Sequence, residues 1–304
     1  MATQKIIPFL WFDKQAKAAA EFYVSAFGGD SAVTSVTPIA DTPSGDVELV
    51  GFRLLGYQFT AISAGPVFKI NPSVSFFVNF DPSRRPDAKE ALDALWGRLV
   101  EGGAVLMPLD SYPFSACYGW VQDRFGVSWQ LILSDPEGEP RPNIVPSLLF
   151  TKEVSGKAEA AMKFYLSVFP DAREGLVARY GPGQEPDREG TVMFEDFMLA
   201  GQWFAAMDSA HPHDFSFNEA VSLVVNCDTQ DEIDYYWEKL SAVPQAEECG
   251  WLKDQFGLSW QIVPAKLATL MAGTPEQRAR VTRAFLKMKK FDMAALERAC
   301  AGKE

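Results

Sequence analysis

An eight-residue segment occurs twice in this chain, and the repeat restricts the fold more than any other feature. Residues 123–130 read DRFGVSWQ and residues 254–261 read DQFGLSWQ, so six of the eight letters are identical. Other segments repeat in the same order. IIPFLWFDKQAKAAAEFYVSAF (6–27) corresponds to IVPSLLFTKEVSGKAEAAMKFYLSVF (144–169), and VSFFVNFD (74–81) corresponds to VSLVVNCD (221–228). Such ordered self-similarity indicates duplicated structural units.

Each half of the sequence predicts the same succession of elements. An apolar strand precedes a helix that carries a Phe-Tyr pair, and three strands follow. A second unit begins with another apolar strand and a helix, in which Leu92 and Trp96, or Ile233 and Trp237, recur at helical spacing. We therefore expect an α+β fold with two βαβββ units in each half, the first strands of the second unit being shorter.

The repeat also sets the expected domain boundaries. Residues 1–134 and 144–265 form the first and second domains, and the Pro-, Gly- and charge-rich segment DPEGEPRPN (135–143) is a linker. Residues 266–304 form a C-terminal helical tail. Within the tail, Thr274 and Pro275 are typical of a helix start, and Asp292 is expected to cap a last helix.

The charge distribution restricts the classes of partner. The formal net charge is −12, which argues against nucleic acid and anionic membranes because no basic field attracts phosphate groups. The tail is the exception, with nine Lys or Arg against four Asp or Glu. A basic amphipathic tail on an acidic body is expected to pack on the second domain or across a homodimer.

The start of the chain and the cysteines indicate a compartment. The opening apolar run stops at Asp13 and is too short for a signal peptide or a membrane span. The four cysteines show no CxxC spacing: Cys117, Cys227, Cys249 and Cys300. Free thiols in a cytoplasmic protein are therefore expected.

The repeated motifs carry a family resemblance. Residues 5–133 and 144–264 each resemble the vicinal oxygen chelate superfamily, which includes glyoxalases, extradiol dioxygenases and bleomycin-resistance proteins. The nearest likeness is to the PhnB-like branch labelled 3-demethylubiquinone-9 3-methyltransferase, through the opening strand, the helical FY, VSLVVNCD and GWLKDQFGLSWQIV. The resemblance implies paired βαβββ modules that form an open, eight-stranded mixed-sheet cup with helices outside and a small-molecule site on the concave face.

The resemblance also implies where a metal would bind. Metal-dependent relatives place His, Gln or Glu at three strand positions, which in this chain are Ile6 or Ile144, Val74 or Val221, and Gln130 or Gln261. A shift of one residue to Ile7 or Val145 gives no better ligand. Hydrocarbons cannot coordinate a divalent cation and a neutral amide is a weak ligand, so we expect cups without metal.

Other cofactor signals are weak. His211 and His213 share one loop and are interpreted as surface residues, with His213 kept as a candidate ligand contact. The glycines of YGPGQEPDREG (180–190) are interrupted by prolines and precede a strand, whereas a nucleotide-binding turn leads into a helix. We expect no cofactor.

Strand alternation and the repeat select the remaining candidate contacts. Gln130 and Gln261 face away from the neighbouring Trp129 and Trp260, and we expect them to be polar anchors for a ligand. Trp120 and Trp251 either floor the cups or fill the core. Cys117 lies two residues before a Gly-Trp pair, whereas Cys249 lies one residue before it. Because adjacent residues of a strand point to opposite faces, we expect at most one of the two cysteines to face a given pocket. Asp123 and Asp254 are expected to be solvated at hairpin tips.

These observations favour a metal-independent protein of the vicinal oxygen chelate fold that acts on or binds a small molecule. A second hypothesis is a protein that sequesters a ligand without turnover, as bleomycin-resistance relatives do; an acidic, ring-rich chain suits a flat cationic ligand. A third hypothesis is the quinone-pathway methyltransferase named by the family label. No strong acid–base constellation emerges from the spacing of the residues.

Overall fold

Strands and helices follow one another in the order that the repeat predicts. The computed structural model describes residues 4–303. In this range the strands are β1 (Ile6–Phe12), β2 (Ala32–Thr42), β3 (Gly45–Leu54), β4 (Tyr57–Ser63), β5 (Val74–Phe80), β6 (Ala104–Tyr112), β7 (Ser115–Gln122), β8 (Ser128–Leu133), β9 (Ile144–Phe150), β10 (Arg173–Arg179), β11 (Val192–Leu199), β12 (Gln202–Asp208), β13 (Val221–Cys227), β14 (Trp251–Lys253) and β15 (Ser259–Pro264). The α-helices are α1 (Ala16–Phe27), α2 (Ala88–Leu99), α3 (Ala158–Val168), α4 (Gln230–Leu240), α5 (Leu267–Met271), α6 (Pro275–Phe285) and α7 (Met293–Ala301). The α+β class and the tandem modules are therefore confirmed.

The tail helices start at the residues that the sequence indicates. Thr274 accepts a hydrogen bond from the Gln277 N–H, and the Gln277 side chain returns a bond to the Thr274 N–H. Asp292 accepts from the Ala295 N–H at the start of α7. These caps satisfy backbone donors that a helix leaves unpaired. Within residues 4–303, every helix is too short or too polar to cross a lipid bilayer.

Each sheet combines strands from both halves of the sequence. Sheet one has the strand order β14-β15-β13-β1-β4-β3-β2, and sheet two has β10-β11-β12-β9-β5-β8-β7-β6. The halves meet in antiparallel pairs, where Ile7 lies opposite Val224 in sheet one and Val145 lies opposite Phe77 in sheet two. The ranges 1–134 and 144–265 thus describe sequence repeats, whereas each sheet joins one module from each half.

The linker explains how this exchange of modules arises. Residues 135–143 connect β8 to β9, and these two strands flank β5 on either side. A connection that crosses only one strand is short, since neighbouring strands lie about 5 Å apart. The second half therefore extends sheet two directly from the end of the first half. Its last module then returns to pair with β1 in sheet one.

One apolar core lies between the two sheets and contains α1, α2, α3 and α4. Phe59 of sheet one packs against Phe76 of sheet two with ring centroids 5.1 Å apart. Trp129 contacts both rings and also Tyr23 of α1. Because alternate side chains of a strand point to opposite faces, the remaining side chains of each sheet form an outer face turned away from this core.

The second copy of the repeated octapeptide makes hydrogen bonds that connect the two sheets through the core. Asp254 is 1% exposed. Its carboxylate accepts hydrogen bonds from the backbone N–H groups of Phe256 (2.8 Å) and Leu258 (3.1 Å), from the indole of Trp260 (2.8 Å) and from the hydroxyl of Tyr165 (2.7 Å). Tyr165 belongs to α3, which packs on sheet two, whereas Trp260 belongs to sheet one. The motif therefore joins the two layers.

The first copy of the motif is built in nearly the same way. Asp123 is 4% exposed and accepts from the N–H groups of Phe125 (2.8 Å) and Val127 (3.1 Å) and from the Trp129 indole (2.8 Å). The expectation that both turn aspartates are solvated was wrong, because internal donors replace water at each carboxylate. Burial raises the pKa of both carboxyl groups, while the tryptophan hydrogen bonds act in the opposite direction.

The two Phe-Tyr tyrosines predict a difference in stability. The Tyr165 hydroxyl donates to Asp254 at 2.7 Å, whereas the Tyr23 hydroxyl lies close enough to the Asp123 carboxylate to lower its pKa but does not reach hydrogen-bond geometry with any group of residues 4–303. Tyr165→Phe is expected to lower the free energy of unfolding by about 1 kcal/mol, the usual net value of one hydrogen bond. Tyr23→Phe should cost less or stabilise. Urea denaturation of both variants checks this, and equal losses would contradict the asymmetry.

The second βαβββ unit is shorter in the second half of the chain (residues 221–264) than in the first half (residues 74–133), and the tail fills the space that this leaves. In the first half this unit contributes the long hairpin of β6 and β7, whereas in the second half it contributes only β14 at the corresponding edge. The N–H groups of Cys249 and Gly250 donate to the carbonyls of Met288 (2.8 Å) and Lys289 (2.7 Å). A Cβ on Gly250 would lie 2.5 Å from the ring of Phe291. The tail is thus seated at the edge of sheet one.

A buried carboxyl group lies unpaired in the interior near the start of α3. Glu195 on β11 is fully buried, and neither carboxyl oxygen has a hydrogen-bond partner within residues 4–303. Asp208 lies nearby and caps α3 by accepting from the N–H groups of Gly156 (2.7 Å) and Ala158 (3.1 Å). Burial, with repulsion from Asp208 second, raises the pKa of Glu195 from its ordinary 4.5 to about 8.

Glu195 is therefore expected to make stability depend on pH. The unfolded chain loses this proton near pH 4.5 and the folded chain near pH 8, so stability falls as the pH rises between these values. Glu195→Gln should stabilise the protein at pH 8 by on the order of 1–3 kcal/mol and have much less effect at pH 4.5. Urea denaturation at both pH values measures the effect. An equal effect at both would rule out titration of Glu195.

Candidate functional site

The outer faces of the two sheets correspond to the cups expected from the sequence. Three neighbouring strands place equivalent side chains side by side at the centre of each face. In sheet one these are Ile7, Val224 and Gln261, and in sheet two they are Val145, Phe77 and Gln130. The centres of both faces are therefore largely hydrocarbon, with one amide each.

The sequence-based register of the expected metal positions needs a correction. The side chains at four of these positions belong to the core between the sheets: Ile6, Ile144, Val74 and Val221. Strand alternation puts the next residues on the outer faces instead, and these are Ile7, Val145, Ser75 and Ser222. Hydrocarbon and serine side chains do not fit a divalent cation site. Within residues 4–303, no group of three or more His, Cys, Asp or Glu is arranged to hold a metal ion.

The two glutamine amides are engaged inside the sheets. Gln130 is fully buried, donates to the Ser75 hydroxyl (2.8 Å) and accepts from the Tyr118 hydroxyl (2.6 Å). Gln261 is 6% exposed and donates to the Ser222 hydroxyl (3.0 Å). Neither amide lines the cavity between sheet one and the tail. Their role as polar anchors stays a prediction, because each amide would have to give up these internal hydrogen bonds in order to bind a ligand.

The repeated tryptophans lie opposite the repeated glutamines on the outer faces but differ in their contacts. The Trp120 indole donates to the Ser128 hydroxyl (2.7 Å) and lies among the apolar side chains of sheet two. Trp251 instead packs edge-on against Phe9 and Trp11, with ring centroids 5.6 and 6.3 Å apart. Its side chain lines a cavity on sheet one. The pair is therefore equivalent in sequence but not in surroundings.

This cavity lies between the outer face of sheet one and the C-terminal tail. Its volume is about 640 Å³, within the range of small-molecule sites. Aromatic and aliphatic side chains make up much of the wall: Trp11, Ile39, Val47, Ile62, Phe68, Trp251, Phe285, Leu286 and Met288. Trp11 is fixed by a hydrogen bond from its indole to the Gly65 carbonyl (2.8 Å) and by the ring of Phe68 at 5.1 Å.

Charged groups also line the cavity, and most are paired. Glu219 forms an ion pair with Lys253 at 2.8 Å. Glu247 accepts from the Ser241 hydroxyl (2.6 Å) and lies 3.3 Å from the ammonium of Lys289. These contacts hold the carboxylates in fixed positions. The wall thus combines rigid rings with a polar margin, an arrangement that binds amphipathic small molecules.

The two candidate cysteines occupy different environments. Cys249 lines the cavity and is half-buried, whereas Cys117 is 4% exposed and lies in the core. Burial, with the Glu248 carboxylate second, raises the pKa of the Cys249 thiol to about 11. Burial also raises the pKa of Cys117. A thiol with such a raised pKa is protonated at neutral pH and is a poor nucleophile.

The histidine loop lies apart from the cavity lining. The His213 imidazole contacts the Ser209 hydroxyl at 2.9 Å, and burial lowers its pKa. His211 lies 3.5 Å from the buried carboxylate of Asp187. His213 as a ligand contact stays a prediction.

Sequence reasoning missed Trp11, Phe68 and the tail residue Met288, which line the cavity. Strand alternation along β1 could have selected Trp11, because it shares a face with Ile7. No signal in the sequence connects the tail to that face. Its contribution depends on how the chain returns to sheet one.

Each half of the chain matches the same protein family. A family model for 3-demethylubiquinone-9 3-methyltransferase matches residues 4–132 and again residues 142–263. The chain belongs to this family. The two matches coincide with the sequence repeat, and the fold is that of the vicinal oxygen chelate superfamily. Among the curated proteins compared with the chain, none matches it.

One solved structure matches the fold over most of the chain, and two others match less than half of it. Glyoxalase I from Zea mays is 11% identical, covers 85% of this chain and 91% of its own, and has a TM-score of 0.51. A PhnB protein from Bacillus cereus, named as a candidate 3-demethylubiquinone-9 3-methyltransferase, is 34% identical over 43% of this chain and 100% of its own, with a TM-score of 0.38. The fosfomycin resistance protein FosX from Listeria monocytogenes is 12% identical over 45% of this chain and 96% of its own, with a TM-score of 0.32.

Cys249 provides a chemical probe of the cavity. Because its thiol pKa is about 11, the reactive thiolate fraction should rise about tenfold per pH unit between pH 7 and 9. Iodoacetamide labelling followed by peptide mass spectrometry measures the rate, with the half-buried Cys300 as an internal control. Fast labelling of Cys249 at pH 7 that does not rise with pH would contradict the raised pKa.

Proposed function

We propose that this chain binds a ring-bearing, apolar small molecule in the cavity between sheet one and the tail, through contacts that need no metal ion. The observation that carries the proposal is the 640 Å³ cavity walled by Trp11, Phe68, Trp251 and Phe285. Rings held in fixed orientations provide large contact area and bind at little cost in conformational entropy. The centre of the same sheet face, at Ile7 and Val224, is also hydrocarbon, which suits an apolar ligand.

Binding without turnover is the form of the proposal that the side chains favour. Glu219 and Glu247 are paired with lysines, and the Cys249 thiol is protonated at neutral pH. General acid–base catalysis needs a group whose pKa lies near the working pH and that reaches the substrate. A ligand-sequestering protein, as among bleomycin-resistance relatives, is therefore favoured over an enzyme. Glu248, which lines the cavity and forms no ion pair within residues 4–303, would suit a ligand with a cationic group.

Methyl transfer is the activity in the family name, but the chain offers no glycine-rich turn of the kind that would hold S-adenosylmethionine in a doubly wound methyltransferase. A doubly wound methyltransferase holds its cofactor at a glycine-rich turn that leads into a helix. Here the glycine-bearing segment 180–190 connects β10 to β11, two strands of one antiparallel hairpin. These residues do not fit such a cradle. A cytoplasmic location and a homodimer stay predictions from the sequence.

Ligand binding is tested with the neutral fluorescent probe N-phenyl-1-naphthylamine. We expect one probe per chain, with fluorescence enhancement and blue shift. Trp251→Ala should weaken binding about tenfold or more, since one aromatic contact contributes about 1–2 kcal/mol. Trp120→Ala is the matched control because it removes the sequence-equivalent ring from the other sheet. If the wild-type protein does not bind the probe, or if both variants lose the same affinity for it, the cavity is not the binding site.

Chelation and thermal-shift measurements separate the competing functions. Treatment with EDTA should leave probe affinity unchanged, because no wall residue needs a cation to bind a ring. Hydrophobic aromatic compounds, whether neutral or monocationic, should raise the melting temperature more than S-adenosylmethionine, because a ligand that binds the folded state stabilises it and the apolar rings of the cavity do not pair with the polar ribose and amino-acid groups of S-adenosylmethionine. Stabilisation by S-adenosylmethionine alone would reverse the ranking and favour the methyltransferase.

A further inference from the structure

The two outer faces carry a tryptophan and a serine in the same backbone arrangement. β7 pairs with β8, and β14 pairs with β15, in the same antiparallel register. Trp120 is therefore placed relative to Ser128 as Trp251 is placed relative to Ser259. Strand alternation puts all four side chains on the outer faces. Any difference between the two pairs comes from the rotation of side chains and not from the backbone.

Only one of these pairs is joined by a hydrogen bond. The Trp120 indole donates to the Ser128 hydroxyl at 2.7 Å. The Ser259 hydroxyl is fully buried and has no hydrogen-bond partner within residues 4–303, so the Trp251 indole does not reach it. A buried hydroxyl without a partner gives up its bonds to water and gains none in exchange, which costs free energy. Other contacts of Trp251 must compensate for this cost.

Aromatic neighbours on β1 supply these contacts. Trp251 packs edge-on against Phe9 and Trp11, with ring centroids 5.6 and 6.3 Å apart. Because β15 and β13 lie between β14 and β1, the Trp251 side chain extends across the outer face of sheet one. The corresponding residues of β9 are Ser147 and Leu149, which offer no ring. The tryptophan of sheet two therefore stays on its serine, whereas that of sheet one turns to the rings.

We propose that Trp251 alternates between two positions and that a ligand in the sheet-one cavity selects the one seen here. In the second position the Trp251 indole donates to Ser259, as Trp120 does to Ser128. The position seen here places the Trp251 ring in the wall of the cavity together with Trp11. The inference rests on the proposed function, to which it adds Ser259 as a positioning residue that acts on ligand affinity through Trp251.

The two positions are close enough in free energy for a ligand to shift the equilibrium between them. One position has two edge contacts between rings, and the other has a hydrogen bond that satisfies a buried hydroxyl; these contributions are of the same order. A ligand ring adds contact only in the position where Trp251 faces the cavity. Because the observed affinity scales with the fraction of molecules in that position, a bond from Trp251 to Ser259 weakens ligand binding.

Ser259→Ala tests the competition through probe affinity. The substitution removes the acceptor of the competing hydrogen bond, so N-phenyl-1-naphthylamine should bind severalfold more tightly than to the wild type. Ser128→Ala is the matched control, because it removes the equivalent hydroxyl from sheet two and should leave probe affinity unchanged. Unchanged affinity in Ser259→Ala, or the same gain in both variants, would overturn the competition between Ser259 and the ligand.

Urea denaturation without the probe tests the second position separately. If part of the molecules hold the bond from Trp251 to Ser259, Ser259→Ala should lower the urea midpoint, by less than Ser128→Ala lowers it. If Trp251 stays on the rings throughout, the substitution removes only an unpaired hydroxyl. An unchanged or raised midpoint would then overturn the inference. A wild type that does not bind the probe, with a lowered midpoint in Ser259→Ala, would refute the ligand cavity while supporting the second position of Trp251.

Discussion

The buried Asp254 carboxylate connects parts of the molecule that no sheet hydrogen bond joins. It accepts bonds from its own hairpin, from Trp260 of sheet one and from Tyr165 of α3 against sheet two. An unpaired carboxylate in the interior is costly, and these donors compensate that cost where the core closes around Asp254. Asp123 repeats the hairpin and tryptophan contacts in the first half. The octapeptide is therefore a structural device, and its two copies hold the helices between the sheets.

Because the core side of each sheet is fixed in this way, the other side is free to differ. Duplication produced two outer faces with matching positions, such as Ile7 and Val145 or Gln261 and Gln130. Sheet one has only β14 where sheet two has the hairpin of β6 and β7, and the tail together with the outer face of sheet one lines an aromatic cavity. Sheet two presents an apolar surface around Phe77 and Trp203. The two faces thus differ in what covers them more than in the strands that build them.

Hydrocarbon side chains make up most of the centre of each outer face. A site that coordinates a cation requires anionic or strongly donating groups within reach of one point. The central positions of both sheets offer packing surface and hydroxyl–amide hydrogen bonds instead. Rigid rings around a cavity select a ligand by shape and polarizability. Glu219 and Glu247 at the margin of the sheet-one cavity are paired with lysines, and the Cys249 thiol there is protonated at neutral pH.

The sequence by itself determined the repeat, the α+β class, the module order and the tail caps at Thr274 and Asp292. These features depend on local periodicity, on turns and on side chains within a few residues of one another. The burial of Asp123 and Asp254 was missed because their donors Tyr165, Trp129 and Trp260 converge only when the core closes. Tertiary structure alone decided that β1 pairs with β13, that Ile7 rather than Ile6 lies on the outer face, and that Met288 and Trp11 line one cavity. Pairing between distant strands leaves no local signal, since either half offers strands of the same pattern; the short linker from β8 to β9 selects the exchange.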